Sequence, residues 1–420
     1  MKKLLMYMFG CLLLASCQNE EVTVVSTHGL QLSVKASGTL ATRAVSGDNN
    51  ISSLQVLYFG LAEDDEYYLM DVETVSGVST LPSTSGGTPS VINLTNPTQW
   101  AESDAYYANL KVAVFANAST SLTGLGTTAG SASGSTGTAS DGKKQVNKLG
   151  ITTNSTHLMS TVLESITFGN VIAANTGSTL FEDNYIPMYV LADDVKIFTG
   201  PYTADWYVSS DGTSATHSLL RAVAKVDITN NAAITDPNTP SGSPKLYAYT
   251  ITKVSIVNGN SGGWAYHPSS AFATTDNDRV KEATVLDAKA TGVDTDVASG
   301  LTTTTNTQTI SNFYMYEKIA TNVNGNFDKT TDCYILIEGN RSDGKTPSYM
   351  IPFPYLGVGN HAATQTGSPY TYSPTATGSV LRNHYYKFVI EGVTDSGLRI
   401  KLYIKDWTEV TVNTDPIQVS

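Results

Sequence analysis

Leu30-Gln31-Leu32-Ser33-Val34-Lys35 sets an apolar residue at every second position, the spacing of a strand with one face buried. The segment lies between two processing signals. Upstream, Leu14-Ala15-Ser16-Cys17 ends a short apolar run as a lipobox. Downstream, Gly38-Thr39-Leu40-Ala41-Thr42-Arg43 is a small-residue stretch open to an arginine-specific protease, which would leave Ala44 as the new N-terminus. A strand made to be cut away leaves a hydrophobic groove behind it. Leu30, Leu32 and Val34 are therefore read as the knobs of a removable strand.

Lys2 and Lys3 form a positive n-region, and Leu4 to Leu14 is an apolar core of signal-peptide length, too short to span a bilayer. Residues 1–17 read as a lipoprotein signal with the lipid on Cys17, and residues 18–43 as a propeptide. The bland alternative is a plain secretory signal that contains Cys17. Cys11 and Cys17 belong to this leader, which leaves Cys333 alone in the body of the chain. One thiol makes no internal disulfide, so an exported chain must be held by its core. In Cys333-Tyr334-Ile335-Leu336-Ile337 it reads as a buried core thiol, not a nucleophile.

Cleavage at Arg43 leaves 377 residues, enough for two domains with full cores. The net charge of the whole chain is -12; the removed part carries four basic against two acidic residues, so the remainder is near -14. Nucleic acid and anionic membrane surfaces select the opposite sign, which argues against both as partners. Charged residues are only 15%, against abundant Thr, Ser, Gly, Tyr and Val, and long helical periodicities are few. The fold class is all-β.

Strands are expected at Ser53 to Phe59, Leu110 to Ala116, Pro187 to Leu191, Leu219 to Thr229 and Tyr249 to Val257. Further along they are expected at Asn312 to Tyr316, Tyr334 to Glu338, Ser348 to Phe353, Tyr385 to Val393 and Leu398 to Asp406. Short strands with Gly, Asn, Asp and Pro between them indicate sandwiches. Leu158 to Phe168 is the best helix candidate. Ser119 to Gly142 and Thr291 to Thr309 are too polar and simple to order themselves and read as exposed loops. The turn-rich Gly259-Asn260-Ser261-Gly262-Gly263 divides the chain into domains at 44–262 and 263–407, with Ser209 to Thr216 as the other possible break.

Catalytic and ligand motifs lack their context. Gly259 to Gly263 matches G-x-S-x-G, but Trp264-Ala265-Tyr266-His267-Pro268 is a poor helix start, and a nucleophile elbow needs a helix there. The six histidines are scattered, with no H-E-x-x-H, so no zinc site is expected. Asp276-Asn277-Asp278 and Asp294-Thr295-Asp296 do not continue as calcium loops and read as solvated turns. The 23 tyrosines mostly alternate along strands, where packing accounts for them and no glycan site is located. Neither an enzyme nor a cofactor is expected.

Four segments, in order, carry a family resemblance: Leu220-Arg221-Ala222-Val223-Ala224-Lys225-Val226, Phe313-Tyr314-Met315-Tyr316-Glu317, Leu381-Arg382-Asn383-His384-Tyr385-Tyr386 and Leu402-Tyr403-Ile404-Lys405-Asp406-Trp407. Together with the lipobox and the arginine site, the set resembles the fimbrillins of Bacteroidia, the subunits of type V pili. Gln18-Asn19-Glu20-Glu21 likewise resembles the acidic export tag of surface lipoproteins in such bacteria. Lys318 departs from the pattern, where Asn often follows the Glu. The resemblance implies two transthyretin-like β-sandwich domains in tandem and no catalysis. It also implies a precursor anchored in the outer membrane through lipid on Cys17, cleavage after Arg43, and a surface fimbria built with other fimbrial subunits, as homopolymer or with accessory pilins.

The tail, residues 408–420, is the expected donor strand. Val410 and Val412 share one face, as do Ile417 and Val419. Ile417-Gln418-Val419-Ser420 repeats the apolar/polar order of Leu30-Gln31-Leu32-Ser33. Strand addition takes its register from main-chain hydrogen bonds and its specificity from alternate side chains. A stalk subunit is the leading expectation. A tip adhesin of the same pilus and a monomeric glycan-binding surface lipoprotein are the alternatives.

Overall fold

The computed structural model describes residues 30–36, 50–79, 90–94, 105–118, 136–138, 142, 144–151, 153–169, 185–198, 206–260, 262–264, 292–299, 305–318, 327–353, 380–405, 411–412 and 417–418. Among the described residues the chain is β apart from a 3-10 turn, Ser155–His157, and one helix, α1 (Met159–Ser165). The helix falls inside the expected segment.

The first sheet comprises β1 (Leu30–Ala36), β2 (Leu54–Leu61), β3 (Tyr67–Val75), β4 (Ser90–Leu94), β5 (Ala105–Ala116), β6 (Thr136–Thr138), β7 (Lys144–Val146), β9 (Met188–Phe198), β10 (Trp206–Tyr207) and β11 (Thr216–Arg221). Its strand order is β10-β1-β11-β9-β5-β2-β3, with β4 on β1 and the β6–β7 hairpin on β5. The sheet curls until β3 approaches β4. Alternation along β2 explains its nearly continuous burial. Leu54, Val56 and Tyr58 face the inner core with Leu32, Val112 and Leu219. Leu57 and Phe59 face the other way, under Val162 and Leu163 of α1. A strand covered on both faces loses the polar alternation of a half-wet one.

The second half is a sandwich. One sheet holds β12 (Val223–Asn230), β16 (Gln308–Tyr316), β19 (Tyr385–Val393), β20 (Gly397–Lys405), β21 (Thr411–Val412) and β22 (Ile417–Gln418). Its order is β16-β12-β19-β20-β21, with β22 also on β20. The facing sheet, β15-β13-β17-β18, holds β13 (Tyr249–Asn260), β15 (Gly292–Ser299), β17 (Tyr334–Arg341) and β18 (Ser348–Pro352). Val226, Phe388 and Ile400 of the first meet Ile251, Val254, Ile335 and Ile351 of the second in one core. Sheets packed face to face bury the alternate residues of both.

Two expectations need correction. The chain passes from the first large sheet to the second half at Ala222, ahead of Gly259 to Gly263: Leu220 and Arg221 pair with Tyr189 and Met188 of β9, and Val223 pairs with Tyr316 of β16. Both Tyr249–Asn260 and its partner Tyr334–Arg341 lie beyond that point. The Gly- and Asn-rich segment holds the end of β13 and the start of β14 (Gly262–Trp264), which pairs antiparallel with β8 (Thr167–Gly169). The true crossover carries no turn signal because it is buried, with Ala222 1% exposed. Gly292–Ser299, expected within a loop, is a strand paired along β13. Its main-chain bonding is indifferent to the simple side chains that suggested disorder.

Candidate functional site

β1 is paired on both of its edges in the first sheet. On one edge it runs antiparallel to β4, with Leu30 opposite Leu94, Leu32 opposite Ile92 and Val34 opposite Ser90. On the other edge it runs parallel to two pieces of wall. Leu30 and Gln31 pair with Trp206 and Tyr207 of β10, and Ser33 to Ala36 pair with Thr216 to Leu219 of β11. The expected knobs, Leu30, Leu32 and Val34, are all 0% exposed and sit among Val56, Tyr58, Val112 and Leu219. Each such burial contributes about 1.5–3 kcal/mol before ordering costs.

Between the wall pieces, Val208 to Ala215 loops out opposite Leu32. Asp211 pins the loop by accepting from Thr213 N at 3.0 Å and Thr213 Oγ1 at 2.7 Å, which lowers its pKa. Ser209 Oγ donates to Thr213 O at 2.6 Å. His217 Nε2 lies 2.5 Å from Val208 O and ties the start of the loop to β11. Val208 N donates to Gln31 O at 2.9 Å, so the loop itself completes the pairing of β1. The outward face of β1 is not simply wet. Gln31 is half-buried, and Ser33 is 3% exposed with its Oγ 3.5 Å from Thr216 Oγ1. Neither the β4 wall nor Thr216 and His217 had been singled out from sequence, although Thr216-His217-Ser218-Leu219 carries a short strand pattern.

The tail lies along its own second sheet. Thr411 and Val412 pair antiparallel with Tyr403 and Leu402, and Ile417 and Gln418 pair with Leu398 and Gly397. Of the expected donor residues, Val412 and Ile417 are thus on the edge of β20, while Val410 and Val419 lie outside the described residues. Cys17, Arg43 and Ala44 also lie outside them.

The four family-like segments converge at the junction of the two halves. Asn383 N donates to Val223 O at 2.8 Å, Asn383 Oδ1 accepts from Arg221 N at 3.3 Å, and Lys225 N donates to His384 O at 2.9 Å. Arg382 reaches Glu317, and its guanidinium lies 5.7 Å from the ring centre of Tyr189 in the first sheet. Tyr385 pairs with Lys225 on one side and Lys405 on the other. These segments build the join and stand apart from the β1 groove.

Asn260 ends β13 and Gly262–Trp264 leaves as a strand, so a nucleophile elbow has no helix to stand on. Cys333 is buried, which pushes its thiol up to about 12 and keeps it protonated. Among the described residues no group of three or more His, Cys, Asp or Glu side chains is placed to hold a metal ion.

No family model and no curated protein matches the sequence. Several solved structures are similar to the chain. A candidate cell adhesion protein from Parabacteroides distasonis is 16% identical, with 91% of this chain and 98% of that one covered, at a TM-score of 0.46. The tip fimbrial protein of Porphyromonas gingivalis, truncated at its C-terminus, is 16% identical over 90% and 99%, at 0.45. A fimbrilin from Porphyromonas gingivalis is 12% identical over 94% and 99%, at 0.42. At these identities and TM-scores the likeness transfers no activity to this chain.

Proposed function

We propose that this chain is a structural subunit of a cell-surface fimbria, assembled when protease cleavage removes β1 and the tail of another subunit takes its place. One observation carries the reading. β1 is paired on both edges and buried through Leu30, Leu32 and Val34, yet Arg43 lies between it and the next described residue, Asn50. A cut at Arg43 severs the covalent link between β1 and the rest of the fold. What remains is a groove with apolar sockets and two unpaired strand edges, a surface that demands another strand.

The tail suits that demand. On β20 it has a single pairing edge among the described residues, whereas the β1 groove offers two. Transfer from the one to the other gains main-chain hydrogen bonds and apolar burial, and a head-to-tail joint of this kind propagates as an open filament. In this reading the lipid on Cys17 anchors the precursor in the outer membrane, cleavage leaves Ala44 as the N-terminus, and Val410, Val412, Ile417 and Val419 furnish the donor knobs. The two halves, divided at Ala222, correspond to the two transthyretin-like domains of the fimbrillins.

The test uses purified protein from Gln18 onward, treated with an arginine-specific protease and run on unboiled denaturing gels. A new N-terminus at Ala44 with a ladder of heat-sensitive multimers is the expected result, and Arg43→Ala abolishes it. Cleavage without a ladder assigns the chain to the tip of the pilus instead. Resistance at Arg43 overturns the activation model and leaves a monomeric surface lipoprotein.

A further inference from the structure

We propose that β4 is a latch: a strand arriving from a second copy of this chain docks on the parallel wall formed by β10 and β11, and β4 closes over it afterwards. The inference rests on the strand-exchange reading and adds to it which wall of the groove must yield. β1 is closed in all round. Both of its edges are paired, and Leu30, Leu32 and Val34 on its inner face are fully buried. On its outward face Ser33 is 3% exposed and Gln31 is half-buried. A replacement strand cannot drop into such a site from above. One wall has to move, and the two walls are held very differently.

The parallel wall is fixed without β1. β11 continues into Leu220 and Arg221, which pair with Tyr189 and Met188 of β9, and Ala222 N donates to Pro187 O at 2.8 Å. Trp206 of β10 stacks on Phe198 of β9, with ring centres 5.7 Å apart, and lies 5.8 Å from the ring of Tyr106 of β5. Between the two pieces, Lys196 N donates to Ser209 O at 3.4 Å. β4 has no such support. Among the described residues β1 is its only strand partner, through Leu30 with Leu94, Leu32 with Ile92 and Val34 with Ser90. It is five residues long, and its outward Val91 is 55% exposed. So short a strand, bonded along one edge, does not keep its conformation once that partner leaves. An occupant of the β1 site gives Ile92 and Leu94 back the apolar residues they oppose. The strand that entered along one edge is then held along two.

Hydrogen exchange read by mass spectrometry tests the latch. The protein from Gln18 onward is cut after Arg43, freed of β1 in mild urea and returned to buffer as monomer. In that monomer the amides of β4 should exchange at least about a hundredfold faster than in the precursor, while β9 and β11 keep their protection. The synthetic peptide Leu30–Ala36, added in trans, should restore the protection of β4, and so should assembly into the ladder. Full protection of β4 in the stripped monomer overturns the latch. Loss of protection in β11 as well, through local opening or unfolding of the whole subunit, overturns the fixed wall and the proposal with it. A peptide that binds and leaves β4 unprotected does the same. If Arg43 resists, a site for a sequence-specific viral protease inserted after it makes the same cut, so failure of the activation reading leaves this test standing. Closure of β4 on the peptide with no ladder from the cut protein supports the latch and overturns donation by the tail.

Discussion

Arg382 Nε donates to Glu317 Oε2 at 2.8 Å, with the two side chains only 2% and 5% exposed. Sixty-five residues apart in sequence, they are brought together because Glu317 follows β16 and Arg382 precedes β19, the two strands that flank β12. Above the pair lies Tyr189 of the first sheet. Removing one partner leaves an uncompensated buried charge, which costs about 3–5 kcal/mol. Arg382→Met should lower the stability of the subunit by that order in urea titrations, and Glu317→Gln, which leaves the Arg382 guanidinium buried and charged without its counter-ion, should cost no less.

Leu32→Ala separates the precursor from the assembled form. It deletes a fully buried knob from β1 and should destabilise the precursor by about 2–5 kcal/mol, read as a lower melting temperature. Filaments made from the same protein after cleavage no longer contain Leu32 and should melt as wild type does. A loss that persists in the filament would mean that β1 stays in place.

The far end of the second half carries an acid-sensitive clasp. Arg341 Nε donates to Asp343 Oδ1 at 2.7 Å and Nη2 to Asp395 Oδ1 at 2.8 Å, joining the β17–β18 turn to the β19–β20 turn. The hydrogen bonds from Arg341 hold the Asp343 carboxyl down from 3.8 to about 2. A folded-state pKa below the unfolded one gives stability that is present above about pH 4 and lost as the pH falls toward 2. Urea midpoints of wild type should therefore fall more steeply over that window than those of Asp343→Asn.

Cys333 should resist thiol reagents in the native subunit and react at once in denaturant. Burial raises its pKa to about 12, so the thiolate that such reagents require is scarce at neutral pH. Rapid labelling of the folded protein would show that the core around β17 opens.

The side chains of single segments made part of this fold legible. Leu30, Leu32 and Val34 announce a strand by their alternation, because one face meets the core, and Tyr334–Arg341 and Tyr385–Val393 do so by β-branched and aromatic runs. The same signal failed at Leu219 to Thr229. That run looks like one strand, but Arg221 ends its pairing with β9 and Val223 begins pairing with β16, and no residue between them marks the break. Gly292–Ser299 failed in the opposite sense, since its polar side chains say nothing of the main-chain bonds that β13 supplies.

What the sequence determined by itself was periodicity and charge, which are properties of neighbouring residues. Tertiary structure alone decided that β1 has a parallel wall on one side and an antiparallel wall on the other, that Ser33 meets Thr216, and that Arg382 meets Glu317. Each of these joins residues distant along the chain. Strand pairing through the main chain is nearly blind to side-chain identity, so partners are chosen by which whole set of faces can be buried at once.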